Sequence, residues 1–168
     1  MPIRPIVFIP DPVLRKVAEP VAAVDDAIRT LMDDMLETMH DAEGIGLAAP
    51  QIGISQRIIV MDCSGDDEDA APLKMANPEL INASDEKAVM EEGCLSIPGH
   101  KGDVTRPTGV TVRYLDEDNA QQELTCDGLL AVCIQHEIDH LNGVLFIDYL
   151  SRLKRDMIVR KMKKEARG

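Results

Sequence analysis

Between Asp127 and Gly143 the chain carries a segment that is apolar on two sides at helical spacing. Leu130, Ile134, Ile138 and Leu141 form one stripe, and Leu129, Cys133, His136 and His140 lie along another. A helix with apolar residues on two sides is a buried helix. Asp127 is placed to cap it and Gly143 to end it, so the spacing predicts a helix over about 128–142 that the remaining chain must wrap.

The other elements follow from the same kind of reading. Residues 1–24 are punctuated by Pro2, Pro5, Pro10, Pro12 and Pro20 and are expected as an extended arm and loop. Asp25 or Asp26 caps a second helix that runs to about Asp41, with Ile28, Leu31, Met35 and Met39 on its inner face and Met32 and Leu36 widening it. Residues 57–61 read as a strand. Two short strand candidates follow, around 76–82 and 88–91. Val110–Tyr114 and Glu123–Cys126 make a hairpin across a turn at 116–122. A last helix starts at about Ser151, with Leu150, Leu153 and Met157 assigned to one face. Strands come before helices with no βαβ alternation, which predicts an α+β fold. Antiparallel sheets then surround a central helix, with one helix near each end of the chain. With 168 residues the expectation is a single domain over 1–168, of which 151–168 is a basic C-terminal helix.

Composition excludes several functions. The net charge is −12, so a general DNA or RNA binder, which needs a basic face, is not expected. No apolar run approaches a membrane span, and the start of the chain lacks the apolar stretch of a signal peptide, so the cytoplasm is the expected compartment. Aromatic residues make up 2%, Trp is absent and Met numbers nine, so the core is aliphatic and filled by Met. The four cysteines, Cys63, Cys94, Cys126 and Cys133, include no CxxC pair, and no disulfide framework is expected. Asp66–Asp69 is an acidic run without ion-wrapping spacing, read as a solvated loop.

Chemistry concentrates on the buried helix. His136-Glu137-Ile138-Asp139-His140 is an H-E-x-x-H. Residues four apart lie about 40° apart around a helix, so both imidazoles project from one face and can share a metal, with Glu137 beside them. The plainer reading is a pair of satisfied core histidines. Two His leave a tetrahedral ion short of one protein ligand. No His follows His140, so the third ligand comes from upstream, as an acid, a His or a Cys. Glu92-Gly93-Cys94-Leu95-Ser96 is the obvious supplier, because a thiolate binds divalent metals strongly and Gly93 allows close backbone approach. Gly44-Ile45-Gly46-Leu47-Ala48-Ala49-Pro50-Gln51 lacks the spacing of a dinucleotide loop. Its small residues admit a ligand, and Gln51 offers an amide donor. Glu43, beside this loop, is the one candidate for supporting the ligands from behind.

Taken in order, GIGLAAPQ (44–51), EGCLS (92–96) and QHEIDHLNG (135–143) resemble the three motifs of the peptide deformylase family. The likeness runs through most of the chain and is loosest at 99–103 and in the acidic loop. It implies a hydrolase that removes the N-formyl group from new polypeptides beginning with formyl-methionine. It implies that Cys94, His136 and His140 hold one divalent metal, usually Fe2+ with Zn2+, Ni2+ or Co2+ able to substitute, and that Glu137 is the acid/base. Gln51 and the backbone N–H of Leu95 would face the developing oxyanion. Ile45, Met90, Leu129, Val132 and Cys133 would line an apolar slot for the methionine side chain. The backbone of Ile45, Gly46 and Gly93 would pair with the peptide as an added strand. Rival readings are a small zinc endopeptidase, lacking its usual downstream ligand, and a non-enzymatic metal-binding module. Arg152–Arg167 holds eight basic and two acidic residues, which leaves −18 on the rest of the chain. Charge so segregated suggests that this helix meets the ribosome, where nascent substrate emerges; a solvated helix end is the simpler alternative.

Overall fold

The computed structural model describes residues 3–64 and 69–167. Asp66, Asp67 and Glu68 of the acidic run lie outside the described residues; Asp69 is exposed. Helix α1 spans Asp26–Asp41, and its N-cap Asp25 accepts from the Ile28 amide at 3.0 Å. Seven strands follow: β1 (Gly46–Ala48), β2 (Ile58–Met61), β3 (Leu73–Ala83), β4 (Lys87–Gly93), β5 (Lys101–Pro107), β6 (Gly109–Leu115) and β7 (Gln121–Asp127). Helix α2 spans Gly128–Leu141 and helix α3 spans Arg152–Arg167. Every pairing between these strands is antiparallel. One sheet has the order β1-β2-β3-β6-β7, and β4-β5 stands apart as a hairpin. This is the expected α+β arrangement.

Three apolar clusters hold the layers together. Leu31, Met32, Met35 and Met39 of α1 meet Leu47, Ile58 and Val60 of the sheet. Ile134, Ile138 and Leu141 of α2 pack on Ile59, Met61, Met75 and Val112 from the same sheet. Ile9, Leu14, Ile97, Val104, Phe146, Ile158 and Met162 form the third, beneath the N-terminal arm. Each fully buried side chain of this size contributes roughly 1.5–3 kcal/mol. The arm is tied down at functional places. Val7 N donates to Gln51 O at 2.7 Å, Ile9 N to Ser96 O at 3.1 Å, and Ala18 N to Leu141 O at 2.8 Å. Gly143 ends α2 with φ +74, and a Cβ there would sit 2.5 Å from Arg15 O, so close approach as well as the turn requires glycine.

Several boundaries depart from the sequence reading. Both short strands are longer, and the unassigned segment 101–107 pairs with β4 along its whole length. Gly46–Ala48 is a strand because its backbone finds β2, although its small residues carry no strand signal. Asp127 occupies the N-cap of α2, but its side chain makes no capping bond. The packed face of α3 is corrected too. Ile158 and Met162 are buried, whereas Leu153 is 72% and Met157 46% exposed. Leu150 precedes the helix in extended backbone, so it does not share the helical phase that grouped it with Leu153 and Met157. Among the described residues no helix is long and apolar enough to cross a membrane.

Candidate active site

The site forms where α2 faces the segments around β1 and the end of β4. Helix α2 is buried from Cys133 to Ile138 and again at His140 and Leu141, so its two histidines are turned into the protein, His136 reaching only the cleft wall. Cys94 follows β4 directly. Its Sγ lies 3.3 Å from His140 Nε2, and one donor atom from each of Cys94, His136 and His140 falls within 4.8 Å of the others. Gln51 arrives from the 3-10 turn after β1. Its Oε1 accepts from Ala48 N at 2.9 Å, which aims Nε2 at Cys94 Sγ (3.4 Å) and Ser96 Oγ (3.1 Å).

The His136 imidazole is supported by residues that the sequence reading did not single out. Glu92 Oε1 accepts from His136 Nδ1 at 2.9 Å, which leaves Nε2 with its lone pair for the site. Arg106 grips Glu92 with two bonds, Nε to Oε2 at 2.6 Å and an amino group to Oε1 at 3.0 Å. Its other amino group donates to Asp139 Oδ2 at 2.9 Å, and Tyr149 donates to that same oxygen at 2.7 Å while its ring lies 4.8 Å from the guanidinium carbon. Glu92 and Arg106 are both 5% exposed, and a buried charge pair needs this much bonding to persist. A signal existed in the sequence. Val104 and Arg106 share parity on one strand, so an Arg fell at an inward position and required a partner. Glu43, the earlier candidate for this support, is exposed at the rim with its backbone in a left-handed turn, φ +58. Its position beside the glycine loop places it over the cleft mouth, and Glu92 has the supporting role.

Electrostatics set the protonation states. Burial pushes Glu137 up to about 7, with Glu92 and Asp139 adding to the shift and His136 and Arg106 opposing it. Among the described residues its Oε1 is buried without a partner, and its Oε2 lies 4.0 Å from His136 Nε2. Burial, with His136 and Arg106 nearby, pushes His140 well below the usual range, so it is a neutral ligand-type imidazole. At His136 burial acts downward but Glu137, Cys94 and Glu92 outweigh it, so a positive charge is favoured at that point. A sulfur, two imidazole nitrogens and a surplus of negative charge suit a divalent transition metal, and these residues fit one.

The cleft beside this cluster has a volume of about 510 Å³. Its walls include Gln51, Cys94, Leu95, His136 and Glu137 together with Ile45, Gly46, Met90, Gly93, Leu129, Val132 and Cys133. Every residue assigned to catalysis or substrate is therefore on this one cleft, and only His140 sits behind its surface, 1% exposed. β1 is an edge of its sheet and β4 pairs with β5 alone, so two strand edges flank the opening among the described residues.

The family model described as polypeptide deformylase matches residues 3–156. A peptide deformylase of Rhizobium meliloti (strain 1021) is 54% identical over 167 residues, which is 99% of this chain and 96% of that protein. The crystal structure of a peptide deformylase from Ehrlichia chaffeensis in complex with actinonin superposes with a TM-score of 0.95 at 44% identity, covering 100% of both chains. One from Legionella pneumophila gives 0.90 at 49% identity, covering 99% of this chain and 96% of that one.

Proposed function

The chain belongs to the polypeptide deformylase family, and on that premise we propose how its own residues carry the reaction. It is a metal-dependent hydrolase that removes the N-formyl group from newly made polypeptides and releases formate. The observation that supports the residue assignments is the sulfur and two imidazole nitrogens within 4.8 Å of one another beside a buried carboxyl. Cys94, His136 and His140 hold one divalent ion, which we assign as Fe2+, with Zn2+, Ni2+ and Co2+ fitting the same donors. Such an ion, when bound, supplies Lewis-acid polarisation and makes water acidic near neutral pH.

Glu137 is the acid/base. A carboxyl held near 7 is suited to take a proton from the attacking water and return one to the leaving amine. Gln51 Nε2 and the N–H of Leu95 bind the oxyanion. The Gln51 amide is already fixed by Ala48, and it turns one hydrogen from Ser96 to the substrate oxygen. A well-aimed donor of this kind contributes about 3 kcal/mol in the transition state. The peptide lies as a strand between the edges at Ile45–Gly46 and Gly93, with the methionine side chain among Met90, Leu129, Val132 and Cys133. Helix α3 docks the enzyme on ribosomal RNA through its cationic surface.

Formate release from a formyl-methionyl tripeptide tests these assignments. Protein loaded anaerobically with iron or nickel is expected to turn over, and the Cys94→Ala variant to lose both metal and activity. Undiminished metal binding by that variant would remove Cys94 from the ligand set.

A further inference from the structure

Three of the four cysteines take no part in the mechanism above as reacting groups, and they gather at one place. Cys63 leaves the end of β2, Cys126 lies on β7 and Cys133 on α2, and all three pack in the apolar cluster between the sheet and α2. Two of them share an anchor. The Ile45 carbonyl accepts from Asp62 N at 2.9 Å, and Cys133 Sγ lies 3.7 Å from that same oxygen. Cys63 is therefore one residue beyond a backbone bond that the Cys133 thiol also touches. We propose that Cys63 and Cys133 are a dithiol modification site that hydrogen peroxide converts to a disulfide, reshaping the wall of the substrate cleft from behind.

The two thiols have different parts. They meet in one apolar cluster beside the Ile45 carbonyl, and each is the strongest influence on the other's acidity. Cys133 holds the Cys63 thiol below its usual range, while Cys63 and burial push Cys133 well above it. Cys63 is half-buried and Cys133 is 4% exposed, so peroxide reaches Cys63 first. The Cys63 thiolate attacks one peroxide oxygen, the O–O bond breaks, and after protonation the products are a sulfenic acid and water. Cys133 sulfur then attacks Cys63 sulfur, and the hydroxyl leaves with the Cys133 proton as a second water. Two thiols lose two electrons and two protons, and one peroxide becomes two waters.

The consequence reaches the cleft because Cys133 is part of its wall. A Cβ built on Gly46 would meet Cys133 Sγ at 2.8 Å, so sulfur and backbone are already in contact there. Bonding to Cys63 draws that sulfur away from β1 toward β2 and alters the slot. The effect on turnover rests on the reading of Cys133 as a substrate contact; the covalent bond does not.

The test uses nickel-loaded enzyme, full length, treated with hydrogen peroxide. Peptide mapping without reductant should show one intramolecular bond between Cys63 and Cys133, lighter by two hydrogen atoms and undone by dithiothreitol. KM for a formyl-methionyl tripeptide should rise about tenfold, the scale of a small misfit in an apolar slot, and return on reduction. Cys63→Ser should keep basal turnover and show neither change, and Cys126→Ser should still form the bond. Oxidation of other thiols without a Cys63–Cys133 bond would overturn the proposal. A bond that leaves KM unchanged would overturn its effect on the cleft while leaving the deformylase assignment intact.

Discussion

Glu92 Oε1 lies 2.9 Å from His136 Nδ1, and the same carboxylate is held by Nε and one amino group of Arg106. Burial alone would raise the Glu92 pKa, but bonds from His136 and Arg106 outweigh it and keep the group ionised below its usual range. Glu92→Gln keeps the shape and removes the charge that fixes the imidazole. Metal affinity should fall about 10- to 100-fold in chelator competition. Arg106 would then rely on Asp139, and urea unfolding should show a loss of about 3 kcal/mol. Parental affinity in this variant would exclude the orienting role.

Gly46 sets the position of Glu137. A Cβ at Gly46 would lie 2.6 Å from Glu137 Oε2 and 2.8 Å from Cys133 Sγ. Gly46→Ala must move the carboxyl by a large part of an ångström. We expect kcat/KM to drop about 100-fold, as misplacement near the chemistry does. Stability should fall by about 1–3 kcal/mol from overpacking. Steady-state kinetics beside thermal unfolding separate the two, and a variant with normal kcat/KM would show that Glu137 has room to spare.

How much of this was legible depends on whether a residue's meaning is local. The buried helix could be read from its own two stripes, and the helical spacing that brings His136 and His140 onto one face is likewise in the sequence. The motifs around Gln51 and Cys94 could be placed beside it by resemblance. Strand β5 was not read, because the alternation of Val104 and Arg106 is too short to mark a strand until β4 is known to pair with it. The same gap hid Arg106, whose partners Glu92 and Asp139 lie 14 and 33 residues away in the chain. On α3 the apolar residues outnumber those the core can receive, so only contact with Phe146 and its neighbours decides that Ile158 and Met162 go in.

Burial of Glu137 also makes a statement about stability. Its folded pKa of about 7 lies above the ordinary 4.5, so the native state binds a proton that the unfolded state has released between those values. Stability of the metal-free protein should therefore fall as pH rises from about 4.5 to 7. Glu137→Gln removes the titrating group. In chelator-treated protein the variant should be more stable than the parent by about 3 kcal/mol above pH 7, with the difference vanishing toward pH 4. Urea unfolding across pH checks this, and a constant difference would mean that Glu137 is not the group responsible.

The Cys94 sulfur makes the choice of metal matter for lifetime. It lies 3.3 Å from His140 Nε2 and 3.4 Å from Gln51 Nε2, at the surface of the cleft. A ferrous ion with a thiolate ligand is open to oxygen, which oxidises the metal and then the sulfur. Iron-loaded enzyme should lose formate-releasing activity in air, while nickel- and cobalt-loaded enzyme keeps it. Equal decay of the three forms would point away from iron-driven oxidation.

Docking through α3 has a sharper test than truncation. Ile158 and Met162 are core residues, so cutting the chain after Ser151 would expose the third cluster and confuse unfolding with lost binding. Arg160, Lys161, Lys163 and Lys164 are exposed on the same helix and can be changed without touching that core. Replacing all four by Glu reverses the charge that would meet RNA phosphates. Ribosome co-sedimentation at low salt should be lost, and the parent's binding should weaken steeply as salt is raised, because phosphate contact releases counterions. Turnover of a free formyl-methionyl tripeptide should not change, since the cleft is built from other elements. Co-sedimentation that survives the four substitutions would leave α3 with a packing role alone.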